Sequence, residues 1–182
     1  VNYRLLSDRD NTTTLNNIVG DAFGAVLWVK DKIGKYKGDS ARIAVTGDSA
    51  GGHLALWIAA RSKIPAGNAL HVADPIPVRG VVGLAPASDL AYLHAGKQCE
   101  HAAQQFLQGS PEEVPERYQF ADTAMMAPIG VPQILVLGDH DEIWTPVGKS
   151  YLTKALAAGD KQVTAIAAPE SGHFEMITPS ST

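Results

Sequence analysis

The chain has 182 residues, of which 45% are hydrophobic and 19% charged, a composition typical of a soluble globular domain and unlike that of a disordered protein. Fifteen basic residues oppose nineteen acidic ones, and the formal charge of −4 comes without a cluster of Lys or Arg. That balance argues against a surface that binds nucleic acid or an anionic membrane.

Cysteine content and hydropathy limit the protein class further. The single cysteine, Cys99, excludes an internal disulfide and leaves the redox compartment undecided. No apolar run reaches the length of a membrane span, and residues 1–10 contain no apolar signal-peptide core. We therefore expect a soluble chain, with a cytoplasmic location favoured over others.

The first half of the chain contains two predicted strands, each followed by a helix. Residues 1–6 have the pattern of the end of a strand, and the apolar spacing over 16–38 predicts a helix. The β-branched run at 41–47 predicts a strand buried on both faces of a parallel sheet. The apolar segment 50–63 predicts a helix packed against that sheet.

The second half repeats this alternation around one long insert. Buried strands are predicted at 77–86 and 131–139, an amphipathic helix at 144–160 and a weaker strand at 161–170. Strands that alternate with helices indicate an α/β fold, a mostly parallel sheet with helices on both faces. We expect one domain over 1–182, with a cap or pocket insert at about 87–131 at the carboxyl edge of the sheet.

A possible nucleophile lies where the second strand meets its helix. Gly47, Asp48, Ser49, Ala50 and Gly51 form the pattern G-x-S-x-G, which places a serine on a sharp strand-to-helix turn. Gly47 and Gly51 supply the lack of bulk that such a turn demands, and Gly52 adds further room. The backbone N–H of Ala50, at the start of the helix, is the expected oxyanion donor. The alternative is that Ser49 is only a small residue at a tight turn.

A serine nucleophile needs a histidine base and an acid that orients the histidine. In this fold the three follow strand ends in the order Ser, acid, His. Asp139, Asp141 and Glu142 follow one predicted strand, and His173 follows the last. His53, on the helix behind Ser49, suits packing or hydrogen bonding better than base catalysis. No group of residues has a metal-ligand spacing, so we expect no metal and no cofactor.

The motifs "GDSAGGHLAL", "GDHDEIWTP" and "GHFEMI" together resemble those of α/β-hydrolase-fold serine esterases, in the hormone-sensitive-lipase-like and acetyl-esterase-like branches. The resemblance covers nearly the whole chain. It implies that Ser49, His173 and Asp141 form a catalytic triad, with Asp139 and Glu142 as rivals for the acid. It also implies hydrolysis of small carboxylic esters through an acyl-enzyme, with short acyl groups preferred.

One feature of that family has no counterpart in these residues. The resemblance implies a second oxyanion donor from a glycine-rich loop, after a strand that precedes residues 1–6, and the 182 residues contain no such loop. We expect an incomplete N-terminal part of the fold, with the sheet completed by a preceding segment or by a second copy of the chain. Loss of one oxyanion donor lowers turnover by about 10²–10³-fold.

Two alternatives to ester hydrolysis stay open at this point. The site could cleave amides, as in arylformamidase-like or peptidase-like relatives, or the fold could serve as a non-catalytic binding module. The intact set of Ser49, Asp141 and His173 favours catalysis. Five side chains of the insert are candidates to line the substrate pocket, although most of them are expected to pack in the core instead: Leu90, Tyr92, Leu93, Phe106 and Tyr118.

Overall fold

The computed structural model describes residues 2–6 and 15–178, in which strands alternate with helices. The strands are β1 Val45–Asp48, β2 Val81–Leu84, β3 Gln133–Gly138 and β4 Val163–Ala168. The helices are α1 Leu15–Lys32, α2 Ala50–Ala60, α3 Leu90–Ala95, α4 Ala102–Leu107, α5 Pro115–Ala121 and α6 Trp144–Ala157. Short 3-10 turns occur at Ile33–Tyr36, Arg61–Lys63, Cys99–His101 and Glu175–Ile177.

All four strands form one parallel sheet in the order β1-β2-β3-β4. Their register aligns Asp48, Leu84, Val136 and Ile166 across the sheet, near the carboxyl ends of the strands. The parallel α/β architecture predicted from the sequence is therefore confirmed. Loops that follow β1, β3 and β4 all leave the sheet at this one edge.

Residues 2–6 do not form the strand that the sequence predicts. They are irregular, and Val1 lies outside the described residues. A strand needs a neighbour to pair its backbone N–H and C=O groups, and β1 pairs only with β2 among the described strands. The segment instead packs on α1, where the Arg4 guanidinium binds the Asp21 carboxylate at 2.7 and 2.8 Å.

The two faces of β3 and β4 differ in their cover. Helix α6 packs on the face that carries Leu135 and Leu137, and both side chains are buried. The opposite face carries Ile134 and Ile166, which are 36% and 52% exposed. The sequence predicts helices on both faces, whereas within residues 2–6 and 15–178 this second face of β3 and β4 stays open.

The core lies between the sheet and the helices α2 and α6. Trp57, Leu135 and Tyr151 are completely buried there, and the Tyr151 hydroxyl donates to the side-chain carbonyl of Gln133. The amide of Gln133 donates in turn to Asp160 at 2.8 Å, so a buried polar chain ties α6 to the start of β3. In the part of the chain that the structure describes, no helix combines the length and the apolar character needed to cross a membrane.

Glycine is required at two positions where β1 meets α2. A Cβ atom at Gly47 would lie 2.2 Å from the carbonyl oxygen of Gly51, and one at Gly52 would lie 2.8 Å from the Pro86 Cβ. A Cβ atom at Gly51 would meet nothing closer than the Tyr3 hydroxyl at 4.0 Å. The expectation that both motif glycines must lack bulk is thus confirmed for Gly47 and wrong for Gly51, because the close contacts fall on Gly47 and Gly52.

Substitution of these glycines by alanine tests that assignment. We expect Gly47→Ala and Gly52→Ala to lower the free energy of unfolding by about 1–3 kcal/mol, because the new methyl group overlaps rigid atoms. Gly51→Ala is the matched control and should leave stability unchanged or raised by up to about 1 kcal/mol, since alanine favours the helix. Urea denaturation measures all three, and a cost at Gly51 equal to that at Gly47 would refute the assignment.

Two buried carboxylates fix the start of α3. Asp89 accepts the N–H of Tyr92 at 3.0 Å and forms an ion pair with Lys154 of α6 at 2.6 Å. Asp122 accepts the N–H of Ala91 at 3.0 Å. Burial, followed by the negative charge of Asp89, raises the pKa of Asp122 to about 6 despite these N–H contacts.

The raised pKa of Asp122 makes stability depend on pH. The folded chain binds this proton more tightly than the unfolded chain, so the stabilisation is full below about pH 4 and is lost as pH rises through about 6. A difference of about two pKa units corresponds to about 3 kcal/mol. We expect urea denaturation over pH 4–7 to show that the wild type loses about 3 kcal/mol of stability relative to Asp122→Asn, because His53, with its pKa lowered to about 4, contributes the opposite trend equally in both chains. The exposed Asp74→Asn serves as the control, and identical pH profiles for wild type and Asp122→Asn would contradict the assignment.

Candidate active site

Ser49 lies on the turn between β1 and α2 in a backbone conformation that residues with side chains rarely adopt. Its φ is +54° and its ψ −118°, a region that costs about 1–3 kcal/mol. The Ser49 N–H donates to the carbonyl of Leu84 at 2.9 Å, and the Ser49 carbonyl accepts the N–H of Ala87 at 3.0 Å. These contacts with β2 and its loop hold the strained turn at the carboxyl edge of the sheet.

Helix α2 starts directly after Ser49, with Ala50, Gly51 and Gly52 in its first turn. The first N–H groups of a helix have no partner within the helix, and its dipole favours negative charge at this end. Ala50, the first residue of this helix and the neighbour of Ser49, is exposed. This end of α2 can therefore stabilise a developing oxyanion.

Asp141 follows β3, and its carboxylate contacts two parts of the site. Its Oδ1 accepts the N–H groups of Ile143 and Trp144 at 3.2 and 2.9 Å, at the start of α6. Its Oδ2 accepts the Nδ1–H of His173 at 3.2 Å. A neutral imidazole that donates through Nδ1 keeps Nε2 free to accept a proton.

The competing acids of the same loop are placed differently. Asp139 and Glu142 are exposed, and Asp139 accepts the backbone N–H of Ser171 at 3.3 Å. Asp141, by contrast, is buried and contacts His173. Of these three acids, the structure therefore brings Asp141 to the histidine.

His173 follows β4 and lies between two aromatic rings. The indole of Trp144 stacks on it with 5.1 Å between ring centroids and 19° between planes. Phe174 meets it edge-on at 4.8 Å. The stacking partner was missed by sequence reasoning, and the signal for it was the Trp that follows the acid loop in "GDHDEIWTP".

Asp48, the residue before Ser49, interacts electrostatically with both His173 and Asp141. Its pKa is raised by burial, while the nearby His173 lowers it and Asp141 raises it. Its Oδ1 atom is buried with no hydrogen-bond partner. Among the described residues the structure records no hydrogen bond between Ser49 and His173, so the pairing of these two side chains stays a prediction.

His53 is excluded as the base, as the sequence predicts. Its ring is buried, and Nε2–H donates to the carbonyl of Ala121 at 2.8 Å. Burial lowers the pKa of His53 to about 4, against a smaller opposite effect of that hydrogen bond. The side chain therefore stays neutral and bound to α5, beside the ring of Phe106.

An apolar cavity of about 210 Å³ opens beside Ala50, the residue that follows Ser49. Ala50 and Trp144 line it on the side of the site, and residues of α3 and α4 line it opposite: Leu90, Leu93, Ala102, Ala103 and Phe106. Leu90, Leu93 and Phe106 are three of the candidate pocket residues, and all three are also buried in the core. Tyr92 is instead exposed, and Tyr118 is completely buried with its hydroxyl donating to Gly109, because α5 packs this ring into the core.

Metal binding finds no support in the side-chain arrangement. Within the described ranges, no group of three or more His, Cys, Asp or Glu side chains could hold a metal ion. The chemistry available at this edge of the sheet is that of a serine hydroxyl, an imidazole, a carboxylate and backbone N–H groups.

Known structures share this architecture. Esterase B from Lactobacillus rhamnosis (HN001) is 21% identical with a TM-score of 0.73, over 100% of this chain and 60% of that one. A truncated carbohydrate esterase from gut microbiota is 20% identical with a TM-score of 0.73, over 95% and 65%. An acetyl ester-xyloside bifunctional hydrolase from Caldicellulosiruptor lactoaceticus is 22% identical with a TM-score of 0.69, over 94% and 60%. The chain thus spans less than two thirds of each, and at these identities the likeness establishes the fold.

The family comparison goes further than the fold. No curated protein matches the chain. Residues 1–156 match the family model described as BD-FAE, a range that includes Ser49 and Asp141 and ends before His173. Because this match covers well over half of the 182 residues, the chain belongs to the BD-FAE family of α/β-hydrolase-fold esterases.

Proposed function

We propose that the chain carries the acyl-transfer site of a serine hydrolase that cleaves carboxylic esters. Ser49 is the nucleophile, His173 the general base and Asp141 the acid that orients the base. The observation that carries this proposal is the 3.2 Å contact between His173 Nδ1 and Asp141 Oδ2, at the same sheet edge as the strained Ser49 turn. The BD-FAE match and the esterase names of similar structures support it.

The reaction divides into two acyl transfers. The Ser49 hydroxyl attacks the ester carbonyl while His173 Nε2 accepts its proton, and the tetrahedral oxyanion forms. Its collapse breaks the bond to the alkoxy oxygen, which leaves as the alcohol with the proton from His173. Water then attacks the acyl-Ser49 ester with His173 again as base, releasing the acid and restoring the serine.

Asp141 supports both steps through the tautomer of His173. By accepting the Nδ1–H it directs the lone pair of Nε2 toward the reacting hydroxyl, and its charge stabilises the imidazolium. The N–H of Ala50 serves as one oxyanion donor at the start of α2. A second donor is not identified within these 182 residues, so turnover by this chain alone should be slow by about 10²–10³-fold.

Covalent labelling tests the nucleophile. We expect a fluorophosphonate probe to modify Ser49, mapped by peptide mass spectrometry, because the probe traps an activated serine. Ser49→Ala and His173→Ala should abolish labelling and lower ester turnover by at least about 10³-fold. Asp141→Asn keeps an oxygen that can accept the N–H groups of α6 and should lower turnover by about 10²–10⁴-fold through the wrong tautomer.

The exposed Ser62 provides the matched control, since Ser62→Ala should change neither labelling nor turnover. A folded sample that leaves Ser49 unlabelled, or ester turnover that survives Ser49→Ala, contradicts the proposal. Labelling of Ser49 with turnover of N-formyl aryl amides but not of esters would assign the site to amide cleavage instead.

Cavity size predicts the acyl preference. A volume of about 210 Å³ equals roughly seven water volumes of about 30 Å³ each, which leaves room for a chain of about four to six carbons. We expect kcat/KM for p-nitrophenyl esters to peak between butyrate and hexanoate and to fall for laurate. Ala103→Leu, which fills the cavity, should move the peak to acetate, while the exposed Ala158→Leu should not. An optimum at laurate would refute this assignment of the cavity.

A further inference from the structure

Trp144 is held by the same carboxylate that holds the base. The Asp141 Oδ1 atom accepts the Trp144 backbone N–H at 2.9 Å, while Oδ2 accepts the His173 Nδ1–H at 3.2 Å. The indole and the imidazole therefore start from a common anchor at the beginning of α6.

The indole of Trp144 stacks on the imidazole of His173. Their planes lie within 19° at a centroid distance of 5.1 Å, a stacked arrangement that restricts rotation of the His173 ring. Phe174 makes the second aromatic contact with His173, in an edge-to-face arrangement. Because Phe174 is 66% exposed, it restrains the imidazole less than Trp144 does. An indole face also stabilises a nearby cation, and His173 becomes a cation during acyl transfer.

The same indole lines the apolar cavity beside Ala50. Trp144 is half-buried; its indole stacks on the imidazole of His173, and the residue also lines the cavity. A chain that fills the cavity would press on the indole and restrict its motion. The side chain thus connects the space proposed for the acyl group with the proposed base.

We propose that Trp144 is a positioning residue, whose indole holds the His173 ring for proton transfer and becomes better fixed when an acyl chain fills the cavity. This inference rests on the proposed function. It explains why the longer acyl groups that fit the cavity should react faster as well as bind more tightly. A residue that only packs the start of α6 would affect stability and leave the kinetic constants unchanged.

Kinetics separate the two roles. We expect Trp144→Leu to lower kcat by about tenfold for p-nitrophenyl hexanoate and by less for the acetate, because acetate leaves the cavity unfilled and gains little from the indole. Trp144→Phe, which retains an aromatic face, should stay within about threefold of the wild type for both esters. Trp28→Phe, at an exposed position of α1, is the matched control and should change neither.

Fluorescence gives a readout on folded chain that does not require turnover. Contact with the imidazole quenches indole emission, so the His173→Ala variant should emit more strongly than the wild type. The same substitution made in a Trp144→Phe chain should leave the emission unchanged. A hexyl phosphonate bound at Ser49 should alter Trp144 emission more than a methyl phosphonate does. This second measurement applies even if Trp144→Leu fails to fold.

Two results overturn the inference while the proposed function survives. In the first, the wild type is labelled at Ser49, but Trp144→Leu loses the same factor in kcat for the acetate and the hexanoate ester, or loses no kcat for either. The other is emission that does not respond to His173→Ala. A folded wild type that leaves Ser49 unlabelled contradicts the proposed function itself, and this inference with it.

Discussion

Parallel register is the constraint on which the site depends. Because β1, β3 and β4 run in the same direction and align at their carboxyl ends, the loops that carry Ser49, Asp141 and His173 leave the sheet at one edge. Strand β1 and helix α2 approach closely at Gly47 and Gly52, and Ser49 has its positive φ on the turn between these elements. The sheet brings the three loops to one edge, and the turn after β1 holds a half-buried Ser49 there.

Around this edge, a few side chains serve two purposes each. Asp141 accepts a backbone N–H at the start of α6 through Oδ1 and the Nδ1–H of His173 through Oδ2, so one carboxylate holds both the helix start and the histidine. Trp144 joins His173 to the apolar cavity. Asp89 and Asp122 hold α3, which forms another wall of that cavity. Fold and chemistry are thus linked through shared hydrogen bonds rather than through separate supports.

The sequence predicts the alternation of strands and helices, because most strands have a clear apolar pattern. It also places Ser49, Asp141 and His173 after predicted strands, of which the strand before His173 is the weakest. It fails at residues 2–6, since apolar alternation cannot reveal whether a pairing neighbour exists. It also assigns the tight contact to Gly51, because a motif gives spacing and not the direction in which the backbone approaches. The Trp after the acid loop in "GDHDEIWTP" marks Trp144 as a candidate neighbour, but its stacking on His173 depends on how two loops fold back, which this local pattern does not encode.

The convergence of Ser49 with His173 is the central claim, and one structure would test it most directly. It is a crystal structure of the chain with a phosphonate bound covalently to Ser49. We expect His173 Nε2 to lie about 2.6–3.2 Å from an oxygen of the adduct, with Nδ1 still bound to Asp141. An imidazole that points away from the adduct, with no contact to Asp141, would contradict the claim.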